Sequence, residues 1–119
     1  HDNTITSCGG AGATGGITIN ATGDSYAQVI DNVTIDNNTI NSSPKGISIF
    51  SAAPAKLFSR VYVTNNLISG CGTGILAGAV KTSMTMSGNY VQNSTAEGIA
   101  IALNNVNAVG MGAGTFSIT

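Results

Sequence analysis

Side-chain catalysis draws on few residue types, and this chain is poor in them. Its carboxylates are Asp2, Asp24, Asp31, Asp36 and Glu97, its basic residues are Lys45, Lys56, Arg60 and Lys81, and its one histidine is His1. Glycoside hydrolysis uses two carboxylates, about 5.5 Å apart for retention or about 6.5–9.5 Å apart for inversion. Asp31 and Asp36 bracket Val33-Thr34-Ile35, and that much extended chain holds them about 16 Å apart. Asp24 and Asp31 can approach only through a folded loop, and they are the two candidate catalytic residues. His1 is terminal and is given no role. Gly9-Gly10-Ala11-Gly12 lacks the lysine of a phosphate-binding loop. Cys8 and Cys71 have no accompanying cluster of histidine or carboxylate, so neither a metal nor another cofactor is expected.

The positions of these residues depend on the elements around them, and those elements repeat. One pattern, Asn-x-Ile/Val followed by a polar turn and Gly-Ile, occurs four times. Asn3-Thr4-Ile5 leads to Gly16-Ile17, and Asn38-Thr39-Ile40 to Gly46-Ile47. Asn66-Leu67-Ile68 leads to Gly74-Ile75, and Asn89-Tyr90-Val91 to Gly98-Ile99. A third element precedes the asparagine as Val33-Thr34-Ile35, Val61-Tyr62-Val63 and Met84-Thr85-Met86, and Phe116-Ser117-Ile118 is a candidate opening of a fifth copy. Each piece alternates apolar and polar residues, as a short half-buried strand does. Ile and Val, which fit a pleated surface, total 21 against four Leu, which favours strands over helices.

Three strands of about three residues cannot bury an apolar face alone. Stacked about 4.8 Å apart, equivalent strands pair and their inward residues form columns. The expected columns are Val33/Val61/Met84, Ile35/Val63/Met86, Ile5/Ile40/Ile68/Val91 and Ile17/Ile47/Ile75/Ile99. Thr18, Ser48, Leu76 and Ala100 are expected on an outer face, as are Thr34, Tyr62 and Thr85. Asn3, Asn38, Asn66 and Asn89 fall at a corner, where asparagine tolerates left-handed backbone and stacked amides can bond to one another. They are expected to form a structural ladder rather than a sugar site. Cys8 and Cys71 share a column two coils apart, about 9.6 Å, beyond the reach of a disulfide; two free, mostly buried thiols are expected.

On these repeats the chain resembles the right-handed parallel β-helix of the pectin-lyase-like superfamily, over about residues 3 to 101. The fold expected is all-β: a single-stranded solenoid of about 4–5 coils with three short strands per coil, forming a single domain over 1–119. Because it begins at His1, the chain is expected to be a fragment or excised domain of a longer protein. The resemblance implies an extracellular, carbohydrate-related role, on a secreted protein or a virion surface. It does not fix an activity, and the calcium-binding acids and base of pectate lyases find no matching cluster here. The segments following each Gly-Ile-x-Ile vary in length, roughly 20–32, 50–60, 78–83 and 102–115, and such variation marks the decorated side of a solenoid. Asp31, Arg60, Tyr26 and Lys56 on that side are the candidate ligand-binding residues, and Asp31 and Arg60 fall near enough in register for a salt bridge.

Composition narrows the partners. Charged residues make up 8% of the chain and the formal net charge is −1, which leaves no basic stripe for nucleic acid. No apolar run approaches the roughly 18 residues of a membrane-spanning helix. So few charges leave the sides fit for packing, and a short solenoid has open ends. Three readings follow: a segment of a trimeric phage tailspike touching a host glycan, a fragment of a secreted polysaccharide lyase or glycoside hydrolase, and a purely structural solenoid. A polysaccharide is the expected ligand, and self-association, as a homotrimer or by end-to-end stacking, is the expected assembly.

Overall fold

A computed structural model describes residues 1–7, 15–21, 28–51, 56–78, 80–102 and 115–119. The chain is a parallel β-helix in which three sheets run up the sides. The first sheet stacks β1 (Thr4–Thr6), β5 (Thr39–Asn41), β8 (Leu67–Ser69) and β11 (Tyr90–Gln92). The second stacks β2 (Ile17–Ala21), β6 (Lys45–Ser51), β9 (Thr73–Gly78) and β12 (Glu97–Ala102). In the third, β3 (Gln28–Ile30) and β4 (Val33–Asp36) both pair with β7 (Lys56–Thr64), followed by β10 (Val80–Ser87) and β13 (Thr115–Ile118). Every pairing is parallel. The described strands make four coils, and β13 completes the fourth rather than opening a fifth.

The register is the one that the repeats predict. Ile5 pairs with Ile40, Ile40 with Ile68 and Ile68 with Val91. Ile17, Ile47, Ile75 and Ile99 stack likewise, as do Val33, Val61 and Met84, and Ile35, Val63 and Met86. Stacking like on like excludes water from the axis: Ile40, Ile47, Ile68 and Ile75 have no exposed surface. Methionine, unbranched and adaptable, fills two sites of the third sheet.

Several local expectations are corrected. Strands of three residues are the rule only in the first sheet; in the others they reach nine. Much of the length assigned to variable loops is strand: the end of β6 extends the second side of the coil, and β3 and the starts of β7 and β10 extend the third. The ladder asparagines are not the left-handed residues. That conformation falls one position earlier, at Asp2, Asn37, Asn65 and Gly88, and at a second corner on Ser7, Ser42, Gly70 and Asn93. The bend needs a residue tolerant of positive φ, and the ladder asparagine then starts the next strand. Ser48, expected on an exposed face, is only 1% exposed, so β6 is buried on both sides there. Cys71 is a free, buried thiol that donates to Ser69 O at 3.6 Å; Cys8 lies outside the described residues.

The column Gly16, Gly46 and Gly74 is glycine for lack of space. A Cβ on Gly46 would lie 2.5 Å from Gly74 O and 2.5 Å from Ile68 Cγ2 of the next coil. Gly16 meets Ile40 and Gly46 in the same way, and Gly74 meets Val91 and Gly98.

Candidate functional site

Among the described residues, the third sheet carries Asp31, Asp36, Arg60 and Tyr62 on or beside its outer face. Alternation along β7 turns Val61 and Val63 inward, where both are fully buried, and leaves Tyr62 and Thr64 outward and partly exposed. Across neighbouring coils Tyr62 pairs with Thr34 and Thr85, while Thr64 pairs with Asp36 and Ser87. Before Val61 the alternation breaks. Phe58 is fully buried, so two residues, Ser59 and Arg60, separate inward positions that a regular strand would space by one. In the coil below, Asn32 is left-handed with φ 61° and lies between β3 and β4. This kink puts Asp31 and Arg60 together on a corner.

The Arg60 guanidinium holds Asp31 in a two-pronged grip. Nε donates to Asp31 Oδ1 at 2.8 Å, and Nη2 donates to Oδ2. Their side chains are 51% and 44% exposed, so the pair adds little to stability. It does fix the orientation of both groups, because a planar fork meets a planar carboxylate in one geometry. Hydrogen bonding from Arg60, chiefly, pulls the Asp31 pKa down to about 2, helped by Arg60's charge and by backbone N–H groups of Asn32 and Arg60, against desolvation. The same contact raises the pKa of Arg60. Such a carboxylate is a poor general acid or base near neutrality.

The other sequence candidates are dispersed or lie outside the description. Asp24 and Tyr26 fall outside the described residues, and Lys56 is described in its backbone only, at the start of β7. Asp36 Oδ1 accepts from Thr64 Oγ1 at 2.6 Å and from Asn65 Nδ2 at 3.1 Å. Asp2 Oδ1 accepts from Asn37 Nδ2 at 2.6 Å, and Asp2 also meets His1 Nδ1. Glu97 pairs with Thr73, which pairs in turn with Lys45, so acid and base are two coils apart. Among the described residues, no three His, Cys, Asp or Glu side chains come together in a way that could hold a metal ion.

The asparagine column is an internal hydrogen-bond ladder. Asn38 Oδ1 accepts from Asn3 N and Nδ2 at 3.1 and 3.0 Å. Asn66 Oδ1 accepts from Asn38 N and Nδ2, both at 3.0 Å, and Asn89 Oδ1 from Asn66 N and Nδ2 at 3.1 and 2.9 Å. Asn38 and Asn66 are 2% and 1% exposed, which leaves no room for a ligand on them. Tyr62, partly exposed on the outer face between Thr34 and Thr85, is an aromatic of this side that the candidate residues did not include. Its place in the Val61-Tyr62-Val63 alternation was the available signal.

Comparison with known proteins adds one finding. No curated protein and no solved structure matches the chain. A family described as periplasmic copper-binding protein (NosD) matches residues 1–110. Its members are parallel β-helices related to the pectin-lyase-like fold, in agreement with the four coils, the stacked isoleucines and the asparagine ladder. The chain therefore belongs to the NosD family.

Proposed function

We propose that this chain is a non-catalytic binding segment of an extracytoplasmic β-helix protein, and that its third-sheet face contacts a hydroxyl-rich ligand, a glycan of the cell envelope. The carrying observation is the composition of that face. Tyr62 lies between Thr34 and Thr85, beside the oriented Asp31–Arg60 pair. An aromatic ring offers an apolar plate with a polar tip. Hydroxyl, guanidinium and carboxylate groups around it match alternating donors and acceptors on a sugar. The periplasmic description of the family agrees with an extracytoplasmic location.

Copper enters through the family description, and the described residues do not fit it. Soft donors suit copper best, yet Cys71 is buried and bonded to a carbonyl, while Met84 and Met86 are core residues 1% exposed. No step through copper is derived from them. The tailspike and lyase readings rest on the fold alone, and fold does not imply function.

Gel electrophoresis through immobilised envelope polysaccharides tests the proposal. The expected result is retarded migration, reduced by Tyr62→Ala and by Arg60→Ala, with no release of reducing ends. Unretarded migration through every polysaccharide leaves the purely structural reading in place. Retardation that survives both substitutions moves the site elsewhere.

A further inference from the structure

Asp31 and Arg60 use only part of their hydrogen-bonding capacity on each other. A guanidinium carries five N–H groups in a fixed plane. Asp31 takes one from Nε and one from Nη2, and no other described side chain takes the rest. The Asp31 oxygens keep lone pairs of their own, and both side chains are half-exposed. Donors and acceptors therefore lie side by side at one corner. A sugar hydroxyl, which donates and accepts, can use both kinds at once. A sugar carboxylate only accepts. To grip Arg60 along its Nε edge it must displace Asp31, and on the remaining edge it lies beside a second negative charge. The fork itself holds the Asp31 carboxyl at about 2, so that charge persists near neutrality. The surroundings point the same way. Tyr62 follows Arg60 by two positions on β7, on the same side of the strand and near enough to act on its charge. Ser83 pairs with Arg60 from the next coil, and Thr34 and Thr85 flank Tyr62. Asp36, further along the face, bonds to Thr64 and Asn65 and not to a cation. Lys56 and Lys81 are described in backbone only.

We propose that Asp31 is the specificity-determining residue of this face: as a built-in counter-ion it withholds Arg60 from acidic sugars and makes the ligand an uncharged, hydroxyl-bearing one. This rests on the glycan contact proposed above and narrows it to one class. Discrimination of this kind works by repulsion as well as by fit. The neutral pair adds no positive field to draw in an anionic polymer, while its free N–H groups and lone pairs serve hydroxyls. Removing the carboxylate alone converts the corner. Arg60 then presents an unpaired fork, the geometry that takes a carboxylate in two parallel bonds, and the face changes its preference from uncharged to acidic sugars.

Frontal chromatography over immobilised polysaccharide tests this. Alginate, pectate and hyaluronate are each coupled in two forms, as extracted and after reduction of their carboxylates to alcohols, so that charge is the main difference. The parent is expected to bind a reduced form at least about tenfold more tightly than its acidic counterpart. Asp31→Asn changes an exposed side chain to one of equal size and keeps the circular dichroism spectrum of the parent. It gains at least about tenfold for the acidic form, the worth of one charge-assisted hydrogen bond. That gain shrinks as salt rises from about 0.05 to about 0.5 M. Adding Arg60→Ala to Asp31→Asn abolishes the gain, which assigns it to Arg60 and not to Lys56 or Lys81. A parent that binds the acidic forms as well as the reduced ones overturns the proposal and leaves the glycan contact standing. So does an Asp31→Asn variant with the preference of the parent, or a gain that survives Arg60→Ala. A parent that binds neither form of any of the three overturns the glycan contact together with the proposal.

Discussion

Replacing Asn66 with alanine puts the asparagine ladder under direct test. The Asn66 side chain accepts from Asn38 N and Nδ2 and donates to Asn89 Oδ1, Ile35 O and Thr64 O. Truncation strands the Asn38 N–H, which the left-handed bend at Asn37 turns away from any strand partner. A buried donor left unpaired costs about 1–3 kcal/mol, and each further bond lost contributes about 0.5–1.5 kcal/mol. These terms overlap, because Asn38 Nδ2 keeps Asp36 O and Asn89 Oδ1 keeps Asn66 N. The expected loss is about 3–5 kcal/mol, a large share of the roughly 5–15 kcal/mol that holds a domain together. In urea the midpoint falls while the slope is kept, and in a thermal scan Tm falls by on the order of 10–20 °C. Asn3→Ala is the control, because Asn3 is exposed and Asn38 Oδ1 keeps the backbone N–H of residue 3; its loss stays below about 1 kcal/mol. Equal losses for the two variants, or a loss below about 1 kcal/mol for Asn66→Ala, would refute the assignment of stability to the buried rungs.

Three further outcomes are expected. Gly74→Ala drives a methyl against Val91 and Gly98 O, at a cost of about 1–3 kcal/mol, whereas Gly98→Ala leaves the stability of the single chain nearly unchanged; denaturant melts of the two compare them directly. The Asp31 carboxylate titrates near pH 2 in the folded chain, measured by carbon NMR, and Arg60→Ala returns it toward its ordinary value of 3.8. Because the folded value is the lower one, any stability linked to Asp31 is present above pH 3.8 and is lost as the pH falls through 2; a midpoint near 3.8 in the parent would show that the pair does not persist in solution. Ile47→Asp places an unpaired charge between Ile17 and Ile75, and the far-ultraviolet spectrum should be that of an unfolded chain; an unchanged melting temperature would mean that the inward register is wrong.

The amino-acid sequence determined the coils. A strand has a period of two, a solenoid has one strand per side per turn, and the recurring Asn-x-Ile and Gly-Ile pairs carry both periods at once. The four apolar columns and the corner position of Asn3, Asn38, Asn66 and Asn89 follow from that spacing without knowledge of any distance. The left-handed residues were within reach as well, since Asp2, Asn37, Asn65 and Gly88 are all tolerant types standing just before a ladder asparagine. At each corner two adjacent residues, such as Asn37 and Asn38, both tolerate the bend, so the sequence offers two ways to place it. Only the tertiary structure decided between them: the first residue takes the positive φ and the second bonds to the next coil. It also decided that Ser48 is buried, because alternation tells one face from the other but not which face is covered. The Asp31–Arg60 fork depends on a break in alternation between Phe58 and Val61, where a kinked strand brings together residues 29 positions apart. The glycine column shows the same limit. A repeat pattern marks every glycine and asparagine as equivalent, and only the stacked coils distinguish Gly74, which is covered, from Gly98, which is not.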